Sequence, residues 1–298
     1  MAKGSKTSSF GTSSRISHDS SAYYRSRLYS ELPPGDAACP QPDNAFPVDQ
    51  ENTIILGSSE SMQSLPDNCL HLMVTSPPYN VTKEYDTDLS LEEYLGLLRR
   101  VFSETYRVLV DGGRACVNVA NLGRRPYIPL SDLISRMMLE LGFQMRGEII
   151  WNKGAGAGIS MAWGSWQSAS NPVLRDVHEY ILVFSKGSFK RSKPRGQENT
   201  ISKEQFMEWT RSVWVMAPES ARKTGHPAPF PVELPHRLIQ LYTYTGDVVL
   251  DPFMGSGSTA LAALKAGRRY VGYEIDAEYV KRAQERLAGE EIASLRSQ

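Results

Sequence analysis

The chain has 298 residues, 41% apolar and 22% charged, with a formal charge of zero. That is the profile of an ordinary globular protein with room for one large or two modest domains. No apolar run approaches the roughly 18–20 residues of a bilayer span, and "MAKGSKTSSF" has no apolar core after its lysines, so neither a membrane helix nor a secretory leader is expected.

Residues 1–52 read as an N-terminal arm. Serine, glycine and proline dominate, so 1–20 reads as mobile and 21–50 as loosely packed, with an arm that embraces DNA as the functional alternative. From Thr53 onward strands and helices alternate. Strands are expected at 53–58 and 71–76. A helix follows over 91–109, where Leu91, Tyr94, Leu95, Leu98, Phe102, Tyr106 and Leu109 recur at helical spacing. "DGG" (111–113) is expected to end it, before a strand at 114–119. A helix over 130–143 closes at Gly142, and strands follow at 147–153 and 179–186. Further on come a helix at 232–244, a strand at 247–251, a helix at 259–267, a strand at 269–276 and a helix at 277–288. Such alternation implies a doubly wound, mostly parallel α/β sheet, whose ligands sit at the strand carboxyl ends.

Two motifs lie at such ends. "VVLDPFMGSGSTA" (248–260) is a strand, a glycine turn and a helix start. Gly255 and Gly257 let backbone approach a ligand, and the helix terminus offers free N–H groups. Nineteen residues after Gly255, Glu274 ends the next strand, where a carboxylate can accept both hydroxyls of a ribose. No lysine precedes Ser258 and Thr259, and Ala260 stands where a third glycine would, so phosphate binding is disfavoured. A turn opened by Asp251 suits a ribose cofactor with a positively charged amino-acid tail, a description that S-adenosyl-L-methionine fits.

The second motif is Ser76-Pro77-Pro78-Tyr79, after the strand "HLMV". The prolines fix φ and remove two donors, which holds the Ser76 hydroxyl and the Pro77 carbonyl in one direction. Tyr79 adds a flat face for a planar ring. Two acceptors and a stacking ring describe a receptor for an aromatic exocyclic amine. The three cysteines, Cys39, Cys69 and Cys116, are widely spaced and odd in number, which fits no metal pattern and suggests a reducing compartment.

Together "TSPPY" (75–79) and "DPFMGSGST" (251–259) resemble the DNA amino-methyltransferases, which methylate cytosine N4 or adenine N6 from S-adenosyl-L-methionine. The motif order is similar to that family's beta arrangement, and the likeness spans about residues 53–288. It implies a circularly permuted class I methyltransferase fold with an inserted recognition region. A catalytic half would occupy 53–185, a target-recognition region 186–225 and a cofactor half 226–298. Serine at position 76 resembles the cytosine-N4 branch, with adenine-N6 as the alternative. An RNA or protein-glutamine methyltransferase, or a non-catalytic DNA-binding protein, would be further alternatives. Ser76, Pro77, Pro78 and Tyr79 would be catalytic. Asp251, Pro252, Phe253, Gly255, Ser256, Gly257, Thr259 and Glu274 would hold the cofactor, closed over by Ala228 and Pro229 in "HPAPFP". Ser58 departs from the acidic residue that many relatives carry after the glycine of "ILG".

Double-stranded DNA would be the partner, with no metal and no membrane. Lys186, Lys190, Arg191, Lys193 and Arg195 would meet phosphates. Trp163 and Trp166, in the flexible stretch 154–176, would touch DNA or cover the target base. The resemblance further implies a cytoplasmic prokaryotic enzyme, a monomer or weak dimer. It would protect host DNA from a restriction endonuclease without a stable complex with it.

Overall fold

A computed structural model describes residues 24–30, 41–79, 89–123, 125–154, 164–194, 196–219 and 230–296. Apolar and β-branched runs form eight strands among them. They are Thr53–Leu56 (β1), Leu70–Thr75 (β2), Leu109–Val119 (β3), Gln144–Asn152 (β4), His178–Ser185 (β5), Val213–Val215 (β6), Val248–Asp251 (β7) and Arg269–Glu274 (β8). The connecting helices are Leu91–Val108 (α1), Leu130–Glu140 (α2), Lys203–Trp209 (α3), Glu233–Tyr242 (α4), Ser258–Lys265 (α5) and Ala277–Arg296 (α6). Ser90 starts α1 with a reciprocal capping box, accepting from Glu93 N while the Glu93 carboxylate accepts from Ser90 N.

The strands form one sheet in the order β1-β8-β7-β2-β3-β5-β4-β6. Only β5 runs against the others. Its neighbour β4 is also the strand before it in the chain, an order that an antiparallel pair permits. Two cores result. Leu98, Phe102 and Ile134 pack one face of the sheet, and Leu238, Ile239, Ala262 and Leu287 pack the other. Burial of each such large aliphatic or aromatic side chain contributes about 1.5–3 kcal/mol.

Three sequence expectations change here. The strand β3 starts at Leu109 and runs through Asp111-Gly112-Gly113, because Leu109 and Val110 are fully buried. Gly112 sits at φ +74°, and a Cβ there would stand 2.3 Å from the Lys190 carbonyl oxygen. Its missing side chain lets the segment after β5 cross at that point. The region 186–225 also holds α3 and β6, which periodicity alone does not reveal because each is too short. Two tryptophans anchor them. Trp209 and Trp214 are buried, and Trp214 Nε1 donates to Trp209 O at 3.1 Å.

The described part of the arm is attached at the amino ends of the parallel strands. Asn44 N donates to Asn68 O just before β2, Asn52 N donates to Tyr270 O in β8, and Phe46 is buried. So 41–52 is packed against the sheet rather than loose. The part of the arm expected to be mobile, 1–20, lies outside the described residues.

Candidate active site at the strand carboxyl ends

Strand order reverses between β7 and β2, which opens a crevice at their carboxyl ends. Both sequence motifs begin there, and one buried side chain ties them together. Asp251 Oδ1 accepts from Thr75 Oγ1 at 2.7 Å and from Phe253 N at 3.1 Å, while Oδ2 accepts from Thr259 Oγ1 at 2.7 Å. Burial pushes the Asp251 carboxyl up to about 7, opposed by those hydrogen bonds. Gly257 then turns the chain into α5 at φ +78°, where a Cβ would press on the Ala283 Cβ at 3.1 Å.

Glu274 ends β8 and closes the glycine turn from outside. Its Oε2 accepts from Gly255 N at 2.8 Å and its Oε1 from Asp276 N at 3.0 Å. Burial raises its pKa against those two bonds. A carboxylate offers about four acceptor sites, so Glu274 keeps capacity to accept from a ligand hydroxyl.

Between the turns lies a cavity of about 740 Å³, well sized for a nucleoside-containing molecule. Ser76, Pro77, Pro78 and Tyr79 line it on one side, and Pro252, Phe253, Gly255, Ser256 and Glu274 on the other. The placement brings nine expected residues to one hollow. It does not bring Asp251, Gly257 or Thr259 there. Asp251 and Thr259 are buried brackets beneath the turn, with both Asp251 oxygens already engaged, so Asp251 does not face an amino-acid tail. Ala228 and Pro229 lie outside the described residues, and their neighbour Phe230 lines the cavity.

Several lining residues escaped the sequence reading as site residues. Ser58, Ser59 and Glu60 come from the turn after β1. Ser59 Oγ donates to Pro252 O at 2.8 Å, Ser58 Oγ to Glu60 Oε1 at 3.1 Å, and Glu60 pairs with Arg100. Glu60 therefore brings a carboxylate to the cavity wall two residues after Ser58. Tyr94, Leu97 and Val101 contribute one face of α1, a spacing that equally describes core.

Behind Tyr79 lies a polar network that no motif announces. The Tyr79 hydroxyl accepts from Ala120 N at 3.2 Å and donates to Glu179 Oε2 at 3.4 Å. Asn118 Nδ2 donates to the same Oε2 at 2.5 Å, and Lys153 Nζ stands 2.6 Å from Oε1. Asn118 Oδ1 is buried with no hydrogen-bond partner among the described residues.

The expected basic cluster sits at the opposite pole. Because β5 is antiparallel, the chain leaves it at the amino ends of β2, β3 and β7. Lys186 Nζ is buried, donating to Asn68 Oδ1 at 2.6 Å and Leu109 O at 2.7 Å. Arg191 is paired with Asp247, the residue before β7. Neither is free for a phosphate. Lys190 and Lys193 are exposed but share that pole, and Arg195 lies outside the described residues. Trp166 is 63% exposed on the site's side of the sheet, between β4 and β5. Beside it Gly164 and Pro172 form a bridge, and Asn171 N donates to Ser165 Oγ at 2.8 Å, while 155–163 of the stretch expected to be flexible lie outside the described residues. Trp163 lies outside the described residues.

Among the described residues no group of His, Cys, Asp or Glu could hold a metal, and no helix is long and apolar enough to cross a membrane. Burial pushes the Cys116 thiol up to about 12, which makes it a poor nucleophile.

Known proteins share this arrangement. The N6/N4 family model described as DNA methylase matches residues 70–285. Type II methyltransferase M.MjaI of Methanocaldococcus jannaschii is 30% identical over 272 residues, covering 77% of this chain and 88% of that protein. A candidate DNA modification methylase of Thermus thermophilus, TTHA0409, has been solved with S-adenosyl-L-methionine. It superposes with a TM-score of 0.65 at 32% identity, over 80% of this chain and 93% of that one. The cytosine-N4-specific PvuII DNA methyltransferase shares the fold, with a TM-score of 0.62 at 20% identity, over 78% of this chain and 84% of that one.

Proposed function

The chain belongs to the DNA methylase family, and on that premise we propose that it methylates the N4 amine of cytosine in duplex DNA at a specific sequence. The observation that carries this reading is the Thr75–Asp251 hydrogen bond, which joins the Ser-Pro-Pro-Tyr turn and the glycine turn across one cavity. The methyl donor is S-adenosyl-L-methionine, which supplies an electrophilic methyl group on a sulfonium.

The chain's own residues orient the acceptor. The target base leaves the helical stack to reach a site at this depth. Ser76 Oγ and the Pro77 carbonyl accept from its amino hydrogens, which turns the nitrogen lone pair toward the methyl group. Tyr79 stacks on the ring. Most of the rate gain is orientation, supplemented by fixed dipoles. Serine at position 76, rather than an acid, supports cytosine over adenine.

DNA approaches from the carboxyl-end pole, where Trp166 and Arg125 are exposed. Residues 216–219 emerge at the same pole, because β6 runs parallel to β4. Recognition is proposed for that part of 186–225 together with the 154–176 loop. Modification of host DNA would guard it against a nuclease of matching specificity.

The test is nucleoside analysis of duplex DNA after incubation with the protein and methyl-labelled cofactor. Label in N4-methylcytosine supports the reading. Label in N6-methyladenine overturns the base assignment and keeps the site. No label in DNA overturns both.

Glu274 gives a separate expectation. Its free acceptor sites bind the cofactor ribose, and a hydrogen bond to a charged group contributes about 1.5–3 kcal/mol. Glu274→Ala therefore weakens cofactor binding roughly 10- to 100-fold in titration calorimetry. An unchanged dissociation constant removes Glu274 from the cofactor site.

A further inference from the structure

Pro77 and Pro78 fix the backbone before Tyr79, but they do not fix its ring. A tyrosine side chain still turns about two bonds. The structure fixes the far end instead. The Tyr79 hydroxyl accepts from Ala120 N, just past β3, at 3.2 Å, and donates to Glu179 Oε2, in β5, at 3.4 Å. The ring is therefore held at both ends. It lines the cavity, and Tyr79 as a whole is half-buried rather than enclosed.

Glu179 is itself held on both oxygens. Asn118 Nδ2, from β3, donates to Oε2 at 2.5 Å, and Lys153 Nζ, one residue past β4, stands 2.6 Å from Oε1. Lys153 also lies over the Trp151 ring, 5.4 Å from its centroid. A carboxylate only 8% exposed is costly to keep charged unless partners of this kind surround it. Of Tyr79, Asn118, Lys153 and Glu179, only Tyr79 lines the cavity. The cluster reaches a ligand through the phenol alone.

From this geometry we infer that Glu179 is a positioning residue, which holds the Tyr79 ring in the plane that receives the target base. A ring clamped before the base arrives has little rotational freedom left to lose on stacking, so the contact goes to the complex rather than to ordering the ring. Glu179 touches neither base nor cofactor and moves no proton. The inference rests on the reading of Tyr79 as the ring that stacks on the target base, and it holds for cytosine and adenine alike.

Single-turnover methylation of duplex DNA tests it, with cofactor affinity measured alongside as the check on folding. Stacking on one aromatic side chain changes the stability of a base complex roughly 10- to 100-fold. Glu179→Ala frees the ring without removing it, so transfer slows about tenfold, the lower end of that range, while cofactor affinity stays at the wild-type value. Glu179→Gln sets its amide oxygen where Oε2 stands, accepts from both Tyr79 and Asn118, and transfers at close to the wild-type rate. Tyr79→Phe keeps the ring and loses the clamp, so it is slowed like Glu179→Ala. The double variant Tyr79→Phe/Glu179→Ala is no slower than Tyr79→Phe, because a ring without a hydroxyl gives Glu179 nothing to hold. A merely structural Glu179 would lower the rate by the same factor on either ring.

Multiplicative losses in the double variant overturn the inference, as does a Glu179→Gln variant as slow as Glu179→Ala. So does a wild-type rate in Tyr79→Phe, a result that decides the matter even if Glu179→Ala fails to fold. Tyr79→Ala tests the reading beneath. Transfer at the wild-type rate there takes the ring away from the base, and reading and inference fail together. A slow Tyr79→Ala beside multiplicative Glu179 losses removes the inference alone.

Discussion

Ser76→Ala lowers the single-turnover rate of DNA methylation about 100- to 1,000-fold, the loss typical of one removed acceptor or donor in a preorganised polar site. Cofactor affinity stays at the wild-type value. The reason is division of labour within the cavity. Ser76 lines it on the side of the proline turn, whereas Gly255 and Glu274 line it on the other side. Removing the serine hydroxyl takes away an acceptor for the amine. Rapid-quench measurement at saturating DNA reads the rate, and calorimetry reads the affinity. Equal losses in both would place Ser76 in cofactor binding rather than in orienting the amine.

Asp251→Asn flattens a pH dependence of stability that the wild-type chain shows between about pH 4 and pH 7. An unfolded aspartate loses its proton near 3.9. In the folded chain burial pushes the Asp251 carboxyl up to about 7. Between these values the folded state holds one proton more than the unfolded state. Stability from this group therefore falls as pH rises through the interval, and stays constant above it. Each pH unit corresponds to about 1.4 kcal/mol, so the interval amounts to roughly 4 kcal/mol.

Asparagine cannot ionise but keeps the shape and an acceptor for Thr75 and Phe253 N. The Thr259 hydroxyl reverses to accept from the amide. Asp251→Asn is consequently more stable than the wild type at pH 8, and the difference shrinks toward pH 4. Asp251→Ala behaves in the opposite way, because it strands two buried hydroxyls at about 1–3 kcal/mol each. Urea denaturation of the three proteins at pH 5 and pH 8 reads the result. A difference between wild type and Asp251→Asn that does not change with pH would show that the folded carboxyl carries no raised pKa.

The bracket around Asp251 also shows where a sequence reading reaches its limit. Asp251 opens a motif, and the motif assigns it to the ligand. The sheet instead sets it beside Thr75 and turns both its oxygens inward. Position in a motif identifies the turn that a residue belongs to, not the direction of its side chain. Ser59 and Glu60 illustrate the converse. They belong to no conspicuous motif, yet β1 pairs with β8 and delivers them to the cavity beside Glu274.

The sequence by itself determined what is local. Ser76 to Tyr79 and Pro252 to Gly257 are contiguous, so the two prolines of the first and the two glycines of the second shape their turns whatever surrounds them. Alternating periodicity likewise sufficed for the doubly wound sheet and for most element positions. Only the tertiary structure decided what depends on strand order and direction. Asn118, Lys153 and Glu179 meet because β3, β5 and β4 are neighbours, a fact with no signature in any one segment. The basic residues after β5 read as a DNA-binding run because clustered charge is visible in a sequence. The reversal of that single strand sends them to the far pole, where Lys186 and Arg191 neutralise buried acceptors instead. Charge is a property of residues, but the pole at which it emerges is set by the hydrogen-bond ladder that fixes each strand's direction.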